Sequence, residues 1–220
     1  MIIEREESLF NREIQPKGIP VMFICEEALY IRTRLNYESA TMSLKTIHPT
    51  SDDLKVIHNL NRLDQYIIRS ADYDKYVELL WDVQHGCLER FYLWLTNKGL
   101  KEYQDRFVNF ADTYFTFVYS CGHEDPVTLK SITRKYLIEF MALYLLKNAS
   151  MELWEYILCP VSLRLFYKFL IEKRYLTKTP DRVIGQIDEF EQEFIEILGE
   201  DFLKGDSGKG QISCNRSLGG

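Results

Sequence analysis

The side chains best suited to hold a metal are His85, Cys87, Cys121 and His123. His85-Gly86-Cys87 opens one predicted helix, and Cys121-Gly122-His123 closes the next. If those helices, about 12 and 16 residues long, form an antiparallel pair, both triplets lie at one end, offset by about 6 Å at 1.5 Å per residue. Two thiolates and two imidazoles would then suit tetrahedral zinc. The spacing argues against it. There is no Cys-x-x-Cys pair, a one-residue gap is awkward for two ligands on one ion, and the second half of the chain has no equivalent. Buried thiols and capping histidines are the expectation, with no metal. Nucleophilic catalysis is weaker still, because a Cys87–His85 pair lacks an orienting third group and an oxyanion loop. His48 and His58 stand alone. The stretch Gly205–Gly210 lacks the strand and helix that a phosphate loop requires. No cofactor and no enzymatic activity are expected.

A second cluster is cationic. Arg164, Lys168, Lys173, Arg174, Lys178 and Arg182 outnumber Glu172 and Asp181, and Tyr167 and Tyr175 interleave with them. Clustered cations contact phosphates, and aromatics stack on unpaired bases. The next predicted helix, however, carries Asp188, Glu189, Glu191, Glu193, Glu196, Glu200 and Asp201. These acids alternate with apolar positions, so they mark a solvated face and not a catalytic carboxylate pair. Packed beside the cations, they would neutralise them.

The same region carries a resemblance. Leu129 with Tyr136 and Phe140, then the run from Ser162 to Lys173 (Ser-Leu-Arg-Leu-Phe-Tyr-Lys-Phe-Leu-Ile-Glu-Lys), then Tyr175-Leu176 and Pro180, resemble the helical core-binding domain of the phage-integrase (tyrosine) recombinases. The resemblance covers about a third of the chain and implies a four-helix domain that clasps DNA. The family's Arg…His-x-x-Arg…Tyr series is absent from this sequence, and an acidic helix and a Gly/Ser-rich tail follow Pro180. Recombinase chemistry is therefore excluded, which leaves DNA binding without catalysis or a fold put to another use.

Composition sets the bounds. A chain of 220 residues with 46% apolar residues can bury a real core. A net charge of −6 with 27% charged residues argues against a surface coated by nucleic acid. The opening Met-Ile-Ile-Glu-Arg-Glu-Glu puts charges where a signal peptide needs an apolar core, and the apolar run Phe140–Leu146 is far short of the roughly 20 residues that span a bilayer. A cytoplasmic protein without a membrane segment is expected. Five scattered cysteines (Cys25, Cys87, Cys121, Cys159 and Cys214) predict no disulfide framework.

The elements that position these groups repeat. Leu88–Leu95 (Leu-Glu-Arg-Phe-Tyr-Leu-Trp-Leu) has a near-copy in Leu163–Leu170 (Leu-Arg-Leu-Phe-Tyr-Lys-Phe-Leu), at an offset of about 75 residues. Phe91 aligns with Phe166, Trp94 with Phe169 and Lys98 with Lys173. Leu54-Lys55 and Ile57 match Leu129-Lys130 and Ile132. Four helices per copy follow. The first begins at the Thr50-Ser51-Asp52-Asp53 cap or at Asp125-Pro126. The second spans about Asp72–Val83 or Ser150–Cys159, and breaks at Gln84-His85-Gly86 or Cys159-Pro160. The third carries the aromatic stretch and stops at Asn97-Lys98-Gly99 or Lys173-Arg174-Tyr175. The fourth starts at Asp105-Arg106 or Asp181-Arg182.

The predicted fold is therefore all-α: two tandem four-helix units, 51–123 and 125–203, related by internal duplication. A segment at 1–50, helical over about 20–35 with a pair of short strands as the rival, precedes them, and a flexible tail follows over 205–220. The 13 Phe, 14 Tyr and 3 Trp residues belong mostly in helix seams, whereas a stripe of exposed aromatics would indicate a partner groove. The function read from these residues is an interaction module that binds a protein partner or itself through the groove between units. The alternative is a DNA-binding accessory protein using the basic patch.

Overall fold

In a computed structural model, the described residues are 32–35, 48–66, 72–120, 127–148, 151, 153–176 and 180–205. The rest of 1–47, the tail beyond Gly205, Cys121 to Pro126 and Lys178 lie outside them. Helix α1 (Ser51–Asp64) starts as its cap predicts. Thr50 is extended, its hydroxyl accepts from the Asp53 N–H, and the Asp53 carboxylate accepts from the Thr50 N–H in return. This reciprocal box satisfies two of the free donors at the helix start.

Helix α2 (Tyr73–Asn97) runs unbroken for 25 residues, so the expected break at Gln84-His85-Gly86 is absent. Gly86 is a packing glycine. A Cβ there would come within 3.1 Å of the Val56 Cγ2 on α1, and its absence lets the two helices approach closely. Between Ser51 and α3 (Gln104–Ser120), the described residues thus hold two α-helices, not three, with a short 3-10 turn Lys101–Tyr103 before α3. The stop after α2 is as expected: Gly99 takes φ +82, with Gly99 N–H donating to the Thr96 carbonyl and Leu100 N–H to that of Leu95, a Schellman closure.

Helix α4 is composite, with an α-turn Arg134–Ile138, a π-turn Glu139–Tyr144 and an α-turn Leu145–Asn148. It begins later than its apolar pattern suggests. Thr128 and Ser131 bond each other's side chains and backbone in a turn over 128–132, a local alternative to helix. Leu129 and Ile132 are buried from that turn, and Leu143, within the π-turn, is exposed. Helices α5 (Leu153–Tyr156) and α6 (Cys159–Glu172) part where Pro160 predicts, with the proline in the first turn of α6. Helix α7 (Pro180–Gly205) follows. The described residues are helical, with turns and no strand.

Helix α6 is the centre. Every described residue from Cys159 to Tyr167 is buried, and α2, α3 and α7 all pack on it. The two aromatic stretches do not close separate cores. Phe91 lies 5.2 Å from Phe166 and 5.4 Å from Phe169, ring centre to ring centre, and Trp94 lies 6.0 Å from Phe169. Buried residues from both halves form one cluster. The groove between units is filled by these rings.

The stop after α6 copies the stop after α2. Arg174, 75 residues beyond Gly99, takes φ +59, and Tyr175 N–H closes on the Leu170 carbonyl. A side-chain-bearing residue in that conformation is strained by about 1–2 kcal/mol. Arg174→Gly should therefore raise unfolding stability by about 0.5 kcal/mol once the entropy of a glycine is offset, and Gly99→Ala should lower it by about 1 kcal/mol. Urea denaturation of both variants checks the opposite signs.

Candidate interaction face

The four residues weighed for zinc do not form a set. His85 and Cys87 sit on one continuous helix, about 200° apart around its axis. His85 is exposed and Cys87 fully buried. Without the helix break the two cannot turn toward one ion, and Cys121 and His123 lie outside the described residues. Burial pushes the Cys87 and Cys159 thiols well above their usual range, which leaves them poor nucleophiles.

The cationic cluster is largely consumed by the fold. Arg164 is buried, and its guanidinium grips Glu191 through both terminal nitrogens (2.9 and 3.2 Å) and Asp188 at 2.8 Å. Arg32 adds a bond to Glu191 at 2.9 Å. Lys173 reaches Asp53 at 3.5 Å, and Arg182 donates to the Ile132 carbonyl at 3.1 Å. Lys168 is half-buried, and burial together with the Arg164 charge lowers its ammonium pKa. Arg174 is exposed, and Lys178 lies outside the described residues. The acidic helix neutralises Arg164, Asp53 pairs with Lys173, and the described cations do not make one open surface. The residues that resemble the recombinase domain, including Leu129, Tyr136, Phe140, Leu163, Phe166 and Tyr167, are core residues.

Buried carboxylates tie the helices together. Asp53, fully buried, accepts from Thr50 and from the Tyr175 hydroxyl at 2.8 Å. Arg90 reaches it at 3.4 Å. Burial alone would raise the Asp53 pKa; the Thr50 and Tyr175 hydrogen bonds and Lys173 outweigh it and hold the carboxyl low. Glu191 behaves alike, with burial opposed by Arg164 and Arg32 and the net shift downward. Lys98 meets Glu172 at 2.8 Å, joining the ends of α2 and α6. In the interior the Tyr114 and Tyr167 hydroxyls pair at 2.9 Å.

Among the described residues, most of the exposed large apolar side chains lie on the outer face of α2. Tyr73, Val77 and Trp81, one turn apart, are 56%, 40% and 69% exposed. With Asp74, Glu78 and Asp82 they line a shallow depression of about 370 Å³. The Trp81 ring stacks on His85, centres 5.5 Å apart and planes within 3°. Further along, Tyr92 and Leu93 are 40% and 52% exposed. The inner face of the same helix is spent on the core through Tyr76, Leu80, Val83, Phe91 and Leu95. Alongside the apolar row runs the acidic row Asp74, Glu78 and Asp82. Among the described residues no cation pairs with these three. Like charges at that spacing disfavour a helix. The sequence signal was a second apolar row at i, i+4, i+8 within the expected helix Asp72–Val83, displaced from the core row.

No described helix is long and apolar enough to cross a membrane. Compared with known proteins, the chain matches no family model, no curated protein and no solved structure.

The Glu191 and Asp53 carboxyls lie below their ordinary values of 4.5 and 3.8 in the folded protein. Their stabilisation is thus full above those values and is lost as pH falls through the lowered ones. Urea midpoints measured from pH 6 down to about pH 3 should decline. Glu191→Gln should cost about 3 kcal/mol at neutral pH by breaking the buried pair and should flatten that decline.

Proposed function

We propose that this is a non-enzymatic, cytoplasmic helical module that binds a protein partner through the outer face of α2. The observation that carries the reading is Trp81. A tryptophan that is 69% exposed, in a row with Tyr73 and Val77, supplies the kind of aromatic anchor that dominates protein interfaces. The depression around it is formed by one helix, without the convergent polar groups of a small-molecule site. The alternative, DNA binding through Arg164–Arg182, loses support because Arg164, Lys173 and Arg182 are engaged internally. Self-association is disfavoured by charge. Two copies meeting antiparallel on this row would bring Glu78 opposite itself.

A photo-crosslinking amino acid placed at Val77 in the full chain tests the reading in the source cells. The expected product is a heteromeric adduct whose purified partner binds the wild type at least ten-fold more tightly than Trp81→Ala, a difference of about 1.4 kcal/mol. Adducts only to a second copy, or a purified partner indifferent to Trp81→Ala, contradict it. In a mobility-shift assay at low salt, micromolar protein should leave duplex DNA unshifted. A shift lost on changing Arg174 to Glu would favour the alternative.

A further inference from the structure

Resting on that reading, we infer that the partner presents a cationic amphipathic helix to the outer face of α2. Three features identify it. The first is shape. Tyr73, Val77 and Trp81 form one ridge about 12 Å long, and Tyr92 lies about 16 Å further along and about 20° around the axis from Trp81. A ridge formed by an i, i+4 row fits the groove of another helix, which would contribute its own apolar positions at i, i+3 and i+4.

The second is charge. On one flank lie Asp74, Glu78 and Asp82, which no described cation pairs with. On the other, Gln84 of α2 donates to the Asp112 carboxylate of α3 at 2.6 Å, which places Asp112 on the opposite margin. Acids on both sides of an apolar strip complement lysines or arginines on both sides of an apolar stripe. They repel nucleic acid, an anionic membrane and a second copy of the same face.

The third is the backbone. The described residues contain no strand and therefore no sheet edge onto which an extended peptide could add. A helix, whose backbone bonds are already internal, needs none.

The test uses the full chain and three fluorescein-labelled 18-residue peptides. One is a Leu/Lys amphipathic helix, one has its lysines replaced by glutamates, and one has the Leu/Lys composition scrambled so that no stripe forms. Fluorescence anisotropy should show the first binding at least ten-fold more tightly than either control. Trp81→Ala should weaken it about ten-fold, with folding verified by circular dichroism. Asp74→Asn, Glu78→Gln and Asp82→Asn combined should weaken it about ten-fold at low salt and flatten its salt dependence. A control triple, Glu102→Gln, Glu189→Gln and Glu196→Gln, removes the same charge elsewhere and should change binding less than two-fold. Equal binding of the scrambled peptide, or equal loss in both triples, overturns the inference as mere charge attraction. Tighter binding of the glutamate peptide overturns the cationic class while leaving the face as a partner site. Failure of all three peptides overturns the amphipathic-helix class, and the Val77 adduct then reports separately on the broader reading.

Discussion

From Cys159 to Tyr167 every residue of α6 is buried, so this stretch must be covered on every side, and the other helices are arranged to do so. A helix apolar around its whole circumference has no stable position at a surface. Helices α2 and α3 cover one side and α7 another, and α4 packs in turn on α7. Phe91, Phe166, Phe169 and Trp94 meet where α2 crosses α6, and these large rings at close centroid distances bind the two halves into one core.

The polar side chains that α6 itself buries are met by the helices covering it. Arg164 faces α7 and is matched by Glu191 and Asp188. Ser162 donates to the Phe107 carbonyl of α3 at 2.9 Å, and Tyr167 meets Tyr114. A wrong neighbour on any side would leave a buried polar group unpaired, which is costly. The acidic character of α7 thus has a structural use: part of it neutralises a guanidinium in the core. The acidic row on α2 has no such use, since its inner face already serves α6 and its carboxylates meet no described cation. That contrast is what singles out the outer face of α2 for the proposed partner.

Much of this was legible in the residues. Thr50 and the two aspartates after it fixed the start of α1, Gly99 the end of α2 and Pro160 the start of α6. The Asp105-Arg106 and Asp181-Arg182 pairs marked the first turns of α3 and α7. Three features were hidden for physical reasons. Gly86 has the sequence appearance of a break, but its role depends on Val56, 30 residues away. Arg164 and Lys173 look like solvent-facing cations until their partners on distant elements, Glu191 and Asp53, are in place. The pattern Leu129-Ile132-Tyr136 is helical in spacing, yet a Thr128–Ser131 turn takes its first half. The two aromatic stretches stand out in the residues as a matched pair. What spacing alone did not convey is that they pack on each other.

Because both halves depend on α6, they should unfold together. Native-state hydrogen exchange on the intact chain, followed through increasing denaturant, reads this directly. The slowest amides around Phe91 in α2, Tyr114 in α3 and Phe166 in α6 are expected to converge on one opening free energy with one denaturant dependence. Separate isotherms for the stretch up to Ser120 and the stretch from Val127 onward would mean two independent bundles and would contradict a shared core.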